Sequence, residues 1–377
     1  MDKKIILEYI WLDATSNFRS KTKILSENVI NISDITTVPT WNYDGSSTDQ
    51  AIGTDSEIFL IPQVIFRDPF RQNMNSNSTA YLVWCEMVDK NSTPLKNSTR
   101  HLAVKVFDAH KDVEPWFGIE QEYFIIDPRT KYPLGFNFSN DHVIQEPDAQ
   151  GKYYCSVGSQ CALGREIPEK HMEFCLYAGV NICGINAEVA PGQWEYQIGP
   201  CVGIDGGDHL WISRYILNRL AESHGYDISY HPKPIGKLLG IGADWNGSGC
   251  HTNFSTTLMR ETNGIEHIYK AVNRLSKNHQ IHMKYYGLDN TMRMSGKHET
   301  SSFDKFTFGR ANRGASVRIP NVVLNESKGY FEDRRPAANA DPYLVTSLIL
   351  STCENPEFDK DNYDNNNTSM SVLGYII

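Results

Sequence analysis

Several classes of protein are excluded by what this sequence of 377 residues lacks. It has no apolar run of the ~18 residues that a membrane-spanning helix needs. Its net charge of −9 argues against nucleic acid or an anionic membrane as the main partner. The N-terminal stretch MDKKIILEYIWLDATS is too short in apolar residues for a signal peptide, is interrupted by Glu8 and has no small-residue cleavage site. These absences predict a cytoplasmic protein without a nucleic-acid or membrane partner.

Two common arrangements of functional residues are also absent. The eight cysteines include no CxxC pair, so we expect free thiols in a reducing compartment rather than metal-binding or catalytic thiols. No GxxxxGK[ST] sequence occurs, which argues against a P-loop enzyme. The sequence therefore favours other side chains for any chemistry.

The patterns along the chain predict two domains and a tail. A length of 377 residues exceeds what a single core usually holds. Strand-like runs at 5–12, 58–66 and 79–88 precede a polar stretch and then a helix predicted from Arg100 to Lys111. We therefore predict a small sheet-rich domain at 1–103, a larger domain at 104–353 and a loosely ordered Asn/Asp-rich tail at 354–377.

Three further helices are predicted in the larger domain. The first covers 208–225 with Asp208 as its N-cap, and the second covers 264–287. The third follows Asp341 as its cap, with Pro342 at its first position. Strand-like segments are predicted between the helices at 117–126, 182–198, 249–257 and 313–319.

Carboxylates recur at alternate positions in these strand-like segments. In GIEQEYFII, residues 118–126, Glu120 and Glu122 would share one face of a strand and repel each other unless a cation lies between them. Glu188 and Glu195 lie on either side of a Pro-Gly turn that can fold both toward one site. Alternation recurs in two more segments, with His251, Asn253 and Ser255 in one, and Glu332 and Arg334 in the other.

Five glutamates and one histidine in this pattern predict a site for two or three divalent cations, because Mg²⁺ and Mn²⁺ prefer carboxylate oxygen and Mn²⁺ also accepts imidazole. A solvated or salt-bridged side chain is the simpler interpretation of any one glutamate, and a structural role is the simpler interpretation of His251 alone. Alternation in three separate segments favours the metal site. Arginines gather nearby in the sequence among small residues, at Arg310, Arg313, Arg318, Arg334 and Arg335. Divalent cations with guanidinium groups suit phosphoryl transfer.

Eight segments, in order, resemble glutamine synthetase of the eukaryotic type. They are PTWNYDGSSTDQA, WFGIEQEYFI, YYCSVG, NAEVAPGQWEYQIGP, WNGSGCHTNFST, HET, ANRGASVRIP and GYFEDRRPAANADPY. The resemblance covers the chain from Tyr9 to Leu350. It implies an α+β fold of the glutamine synthetase/guanido kinase-like type. This fold has a small β-grasp-like N-terminal domain and a larger C-terminal domain with a curved antiparallel sheet flanked by helices.

The resemblance also implies the reaction and the assembly. Ammonia would be joined to the γ-carboxylate of L-glutamate through γ-glutamyl phosphate, which gives L-glutamine, ADP and phosphate. ATP would be the co-substrate, ammonium the nitrogen source, and Mg²⁺ or Mn²⁺ the cofactor, with two or three ions in each site. Identical subunits would form two stacked pentameric rings, with each active site shared between neighbours.

The same resemblance assigns roles to individual residues. One metal ion, beside the ATP phosphates, would be held by Glu120, His251 and Glu332, and the second by Glu122, Glu188 and Glu195. ATP would be bound by Glu120, Glu195, Asn253, Ser255, Arg313, Arg318 and Tyr330. Glutamate would be bound by Asn246, Gly247, Lys297, Arg313 and Arg334. Three residues would be catalytic: Asp44 on the ammonium of the adjacent subunit, Glu299 as a flap over the intermediate, and Arg313 on the transferring phosphoryl group.

Two departures from the family pattern and two alternative functions remain. Lys297 stands where the family has an arginine before HET, so the bidentate guanidinium that grips the substrate carboxylate would be missing. The segment around 236–243 is longer than usual. A non-catalytic relative is one alternative, which the filled ligand positions disfavour. A ligase for another amine, such as a polyamine, is the second, and Asp44 disfavours it because a carboxylate suits a small cation.

Overall fold

The computed structural model describes residues 3–72, 77–139, 142–145, 150–234 and 245–359 of the chain. In these ranges, no helix has both the length and the apolar composition needed to cross a bilayer. The chain forms two compact units: Met1–Val104 with Glu173–Val180, and Lys105–Met172 with Asn181–Ile377. The sequence contains no signal that residues 173–180 join the first unit. The lengthened segment around 236–243 lies outside the described residues.

The first unit is built on a five-stranded mixed sheet. Its strands are β1 (Lys4–Leu12), β2 (Phe18–Ser26), β3 (Trp41–Asp44), β4 (Glu57–Arg67) and β5 (Ser78–Val88). Their order is β2-β1-β5-β4-β3, with β1 and β5 parallel and the other neighbours antiparallel. Because side chains alternate along a strand, Leu7, Tyr9 and Trp11 of β1 all enter one core. The strands predicted in this part of the chain are confirmed.

The second unit contains a nine-stranded sheet. Its strands are β6 (Trp116–Asp127), β7 (Tyr132–Pro133), β10 (Ile182–Ala187), β11 (Gln193–Val202), β12 (Asp227–Ser229), β13 (Cys250–Ser255), β14 (Phe308–Arg310), β15 (Val317–Ile319) and β16 (Phe331–Asp333). The order is β10-β11-β6-β13-β16-β15-β14, and β7 and β12 also pair with β6. Pairing is antiparallel except between β14 and β15. A separate antiparallel pair consists of β8 (Asn137–Ser139) and β9 (His142–Gln145).

Nine α-helices lie in the described ranges. They are α1 (Arg100–Ala109), α2 (Glu166–Ala178), α3 (Asp205–Ser223), α4 (Thr257–Arg260), α5 (Ile265–Lys277), α6 (His279–Tyr285), α7 (Asn290–Arg293), α8 (Asn321–Glu326) and α9 (Pro342–Glu354). Helix α3 packs on β6 and β11, and α9 packs on α3, α5 and α6. A Cβ atom at Gly207 of α3 would lie 2.4 Å from the Tyr343 ring, so α3 and α9 approach too closely there for any side chain. Sheets with packed helices confirm the predicted α+β fold class.

Two helix predictions need correction. Helix α3 begins at Asp205, and Asp208 does not cap it, because its buried carboxylate accepts a hydrogen bond from the Tyr343 hydroxyl. The helix predicted over 264–287 is two helices, interrupted at Asn278, whose Nδ2 donates to the Arg274 carbonyl at 3.1 Å. Asparagine side chains bond to nearby backbone and so favour helix ends over helix interiors.

The C-terminal helix and the start of the predicted tail are well defined. The Asp341 cap is confirmed, since its carboxylate accepts from the Tyr343 backbone N–H at 2.9 Å. A 3-10 helix, Pro356–Asp359, follows α9, and Arg274 donates to both carboxylate oxygens of Asp359 at 2.8 and 2.7 Å. The predicted loose order is therefore wrong for residues 354–359, and the remaining tail lies outside the described residues.

Candidate active site

The pairing of β6 with its two neighbours brings the predicted carboxylates together. Glu122 lies opposite Glu195 of β11, and Glu120 lies opposite His251 of β13. Directly paired residues in a sheet carry their side chains on the same face, with Cβ atoms about 4.5–5.5 Å apart. The alternation in the sequence therefore becomes one acidic face, with a histidine at its edge.

Glu332 and Glu188 join this face from further along the sheet. Glu332 of β16 pairs with Asn253 of β13 and with Arg318 of β15. Glu188 follows β10, and its backbone N–H donates to the Gln193 carbonyl at 2.9 Å, which closes the turn between β10 and β11. Gly192 in this turn has φ +68°, and a Cβ there would lie 2.9 Å from the Leu134 backbone. The turn predicted from the Pro-Gly pair therefore requires its glycine.

Two groups of three side chains have ligand atoms close enough to hold a metal ion. Glu120, His251 and Glu332 form one group, and Glu122, Glu195 and His251 form the other. In each group the ligand atoms all lie within 4.8 Å of one another. Carboxylate oxygens with one imidazole nitrogen are a donor set that Mg²⁺ and Mn²⁺ accept. Glu188 belongs to neither group but lines the same cavity.

The electrostatics of these carboxylates also fit a bound cation. Burial, to which the charge of Glu188 adds, raises the pKa of Glu122 to about 8. Burial raises the pKa of Glu188 to about 7. Burial, and then the charges of Glu120, Glu122 and Glu188, raise the pKa of Glu195 well above its ordinary value. Burial and the charge of Arg334 hold the pKa of His251 well below its ordinary value. The imidazole is thus neutral and able to ligate, whereas the glutamates need a positive charge to ionise together.

Three arginines, Arg313, Arg318 and Arg334, line the same cavity. Arg334 donates to Glu332 Oε1 at 2.7 Å, and Arg318 donates to the other oxygen of that carboxylate. Arg313 forms a salt bridge of 3.3 Å with Glu299. The cavity contains Glu120, Glu122, Glu188, Glu195, Asn246, Gly247, His251, Glu299, Arg313, Arg318 and Arg334 among the predicted residues, and also Tyr154, Arg293, His298 and Thr300. Once the acidic face holds cations, those cations and the guanidinium groups together make the cavity suitable for an anionic ligand.

Lys297 does not line this cavity, and Arg293 does. Lys297 is exposed. Arg293 is only 3% exposed, and its Nη2 donates to the carbonyls of Arg334, Arg335 and Pro336 at 3.0, 2.8 and 3.1 Å. Burial lowers the pKa of Arg293 to about 10, against the opposing effect of Glu122. From the sequence, glutamate binding is assigned to Lys297 because it directly precedes HET. Nothing in the alternation of residues distinguishes Arg293.

A second, apolar cavity adjoins the first at Glu120, which lines both. Its walls include Trp116, Phe117, Ile119, Ile198 and Phe254, and its volume is about 320 Å³. Asn253, Ser255 and Tyr330 lie here rather than in the acidic cavity. Asn253 Nδ2 donates to Glu120 Oε1 at 2.9 Å, so a hydrogen bond links a residue of the apolar cavity to a residue of the acidic cavity. The predicted nucleotide residues thus divide between an apolar and a charged chamber.

The side of β6 opposite the acidic face is held by a buried arginine. Gln121 points away from Glu120 and Glu122, and its Oε1 accepts from Arg214 Nε and Nη2 at 2.8 and 2.6 Å. Arg214 also donates to the carbonyls of Ala338 and Ala340 at 2.9 and 3.0 Å. Gln121 itself is fully buried. Helix α3, strand β6 and the segment after β16 are therefore fixed to one guanidinium group.

Asp44 lies in the first unit, at the end of β3. Its carboxylate accepts from the Ser46 backbone N–H at 3.0 Å and from the hydroxyls of Ser46 and Ser47 at 2.7 Å each. These hydrogen bonds lower the pKa of Asp44 to about 2 although the residue is exposed. The first unit therefore presents an ionised carboxylate in a fixed orientation at its surface.

Comparison with known proteins adds independent findings. The sequence model of the family described as "Glutamine synthetase, catalytic domain" matches residues 96–282. A glutamine synthetase of Candida glabrata is 49% identical over 352 residues, which cover 93% of this chain and 88% of the relative. The glutamine synthetase of Saccharomyces cerevisiae is 48% identical over 357 residues, covering 93% and 89%. That of the dog, Canis lupus familiaris, is 47% identical over 356 residues, covering 93% and 90%.

Proposed function

The chain belongs to the glutamine synthetase family, and from this premise we propose how its own residues perform the reaction. The predicted activity is confirmed: the protein is a glutamate–ammonia ligase, which uses ATP to form L-glutamine. One observation supports the detailed proposal above all others. Strands β6, β11 and β13 place Glu120, Glu122, Glu195 and His251 in one cavity, which Arg313, Arg318 and Arg334 also line. Glu332 of β16 is fully buried, with a carboxylate oxygen within ligand distance of Glu120 and His251.

We propose that Glu120, His251 and Glu332 bind one Mg²⁺ or Mn²⁺ ion, and that Glu122, Glu188 and Glu195 bind a second. The raised pKa values of Glu122, Glu188 and Glu195 support this, because these side chains gain most from a nearby cation. When bound, such cations would shield the phosphate charges of ATP. Arg318 and Arg334, which hold Glu332 from both sides, would fix the orientation of that ligand.

ATP would occupy both cavities. Its base would lie among the apolar walls near Tyr330 and Ser255, and its phosphates would pass Glu120 toward Arg313 and Arg318. The donors of Arg313 would stabilise the negative charge of the phosphoryl group as it moves to the γ-carboxylate. Glu195, which lines the acidic cavity and not the apolar one, would lie near the phosphates rather than near the base.

The amino-acid substrate would lie at the other end of the acidic cavity. Gly247 lines this cavity. It cannot carry a side chain, since a Cβ there would lie 2.1 Å from the Pro232 carbonyl. Asn246, Gly247 and Arg334 would contact glutamate. We propose Arg293 in place of Lys297 as the further cation at this end, because Arg293 lines the cavity. Glu299, held by Arg313, would cover the intermediate.

Ammonium would be bound by Asp44 of an adjacent subunit. Because its pKa is low, Asp44 stays ionised and attracts the ammonium cation. It does not retain a proton that ammonium releases, so that proton must pass to another group or to solvent. The assembly would be a homo-oligomer of two stacked pentameric rings in the cytoplasm. A non-catalytic relative remains disfavoured, since every position predicted to bind a metal ion is occupied by a glutamate or a histidine. A ligase for a larger amine remains the second alternative.

An assay of γ-glutamyl hydroxamate tests this function directly. Hydroxylamine should replace ammonia and give the hydroxamate only when glutamate, ATP and Mg²⁺ or Mn²⁺ are all present. Glutamine formation from ammonium should exceed ligation of a polyamine at equal concentration. Preference for the polyamine, or hydroxamate formation without a divalent cation, would contradict the proposal.

Replacement of Arg293 should weaken glutamate binding, whereas replacement of Lys297 should not. Arg293→Lys keeps the charge but loses the planar guanidinium, so we expect the KM for glutamate to rise about 5- to 150-fold, the equivalent of about 1–3 kcal/mol. The KM for ATP should change little. Lys297→Ala should leave the KM for glutamate near the wild-type value, because Lys297 is outside the cavity.

Steady-state kinetics of the two variants, with thermal unfolding as a check on folding, measures this difference. If Lys297→Ala raised the KM for glutamate as much as Arg293→Lys did, the original expectation for Lys297 would be restored.

A further inference from the structure

One glutamine joins the amino-acid end of the cavity to the segment that carries Glu299. Gln150 Oε1 accepts from the Asn246 backbone N–H at 2.6 Å, and Gln150 Nε2 donates to Asn246 Oδ1 at 3.0 Å. The same Nε2 lies 3.3 Å from His298 Nδ1. Gln150 is therefore bonded both to Asn246 and to the residue that precedes Glu299.

The two hydrogen bonds to Asn246 fix both its backbone and its side chain. With Oδ1 engaged, Asn246 keeps its NH₂ group for a ligand, since Nδ2 binds no acceptor among the described residues. On the other side of the same loop, Gln193 Nε2 donates to the Gly247 carbonyl at 3.0 Å and lies 3.4 Å from Glu122 Oε2. The loop of Asn246 and Gly247 is thus held between two glutamine amides, one of which contacts the acidic face.

The Gln150 amide has enough hydrogens for both contacts. A glutamine NH₂ group has two hydrogens, of which Asn246 Oδ1 takes one and the other is available to His298 Nδ1. Gln150→Glu would remove both donors and keep the acceptor for the Asn246 backbone.

His298 and Glu299 need such external contacts. Their φ angles are +52° and +61°, in the left-handed region that is unfavourable for a residue other than glycine. Glu299 is held by its 3.3 Å salt bridge to Arg313 and by Arg334 Nη2, which donates to its carbonyl at 3.4 Å. His298 is held by Gln150 at the other side. Strained backbone of this kind persists only where its surroundings fix it.

We propose that Gln150 is a positioning residue that couples the glutamate-binding loop to the Glu299 segment and so keeps water from γ-glutamyl phosphate. This inference rests on the proposed roles of Asn246 and Glu299. When Asn246 is in place, Gln150 holds His298, and Glu299 stays over the cavity. Without this link the two sides of the cavity move independently, and water enters beside the intermediate.

The predicted failure is a balanced side reaction. The oxygen of water attacks the γ-carbonyl carbon of γ-glutamyl phosphate, and the bond from that carbon to the phosphate oxygen breaks. Phosphate leaves with the electron pair, the proton of water passes to solvent, and glutamate is regenerated. The net change is ATP and water to ADP and phosphate, with no glutamine formed. A loss of coupling therefore appears as ADP in excess of glutamine.

The test measures ADP and glutamine in the same reactions of the full-length protein, at saturating ammonium. Wild type should give one ADP for each glutamine. Gln150→Ala and Gln150→Glu should both raise this ratio several-fold, with the excess ADP dependent on glutamate. Gln280→Ala is the matched control, because Gln280 is exposed and its side chain, among the described residues, bonds only the Asp304 carbonyl, at 3.3 Å. Its ratio should stay at one.

Three results would overturn the inference. A ratio of one in both Gln150 variants, whatever their rates, would show that Gln150 does not control access of water. Loss of both products would place Gln150 in phosphoryl transfer, and excess ADP that forms without glutamate would indicate ordinary ATP hydrolysis. A merely destabilised protein would lose rate without changing the ratio, and Gln150→Glu keeps the test decisive if the alanine variant does not fold. Failure of the proposed function is distinct, since wild type would then make no glutamine.

Discussion

Glu122→Gln or Glu195→Gln should lower glutamine formation by more than about 100-fold and leave the fold intact. Even changes to residues that only support metal ligands cost about 10- to 100-fold, and these two glutamates face each other inside the acidic site. Burial disfavours the charged form of both carboxylates, and an amide in their place carries no charge. Without added metal, the variants should therefore unfold at the wild-type temperature or above it. Initial rates over a series of Mg²⁺ concentrations and thermal unfolding measure both effects.

Glu261→Gln is the matched control for this charge change, since Glu261 is exposed and lies outside both cavities. It should retain wild-type activity and the wild-type requirement for Mg²⁺. Ordinary activity of Glu122→Gln at limiting Mg²⁺ would refute the assignment of this side chain to a metal ion.

Mixing two inactive variants, Asp44→Ala and Glu332→Ala, should restore activity. If Asp44 serves the cavity of a neighbouring subunit, a hybrid pair can combine an intact Asp44 with an intact Glu332. For random assembly of equal amounts, about one quarter of the sites would contain both residues, so about a quarter of wild-type activity is expected. The measurement requires dissociation and reassembly of the mixture, followed by an assay of glutamine formation.

Each variant reassembled alone is the control and should stay inactive. A different tag on each variant identifies the mixed assemblies. If these assemblies recovered no activity, the result would count against shared sites. Activity of Asp44→Ala alone would show that this carboxylate is not needed for binding ammonium.

The acidic site could be predicted from sequence because it is made by strands. A period of two places Glu120 and Glu122 on one face whatever the rest of the fold does. The apolar patterns also predict the strand-like segments that contain β11 and β13, but only the structure shows that both pair with β6. Glu195 and His251 were within reach of the same reasoning, since each lies in its own strand-like segment.

Features that depend on packing between distant segments could not be predicted in this way. Arg293 enters the cavity because three carbonyls of the segment after β16 hold its guanidinium, and no local pattern indicates them. Asn278 divides a helix whose apolar period continues across the break. Gln150 lies in no regular element, so its bonds to Asn246 and His298 are visible only in three dimensions.

The buried pair of Gln121 and Arg214 has a consequence for how the chain avoids folding errors. A shift of β6 by one position against β11 and β13 would turn Glu120 and Glu122 toward the helices and bring Gln121 to the acidic side. Two carboxylates would then enter an apolar layer, and Arg214 would lose the amide oxygen that accepts two of its hydrogen bonds. A mispaired strand is thus penalised on both of its faces at once. The alternation of acid and amide in Glu-Gln-Glu therefore acts as a check on strand pairing before any substrate is bound.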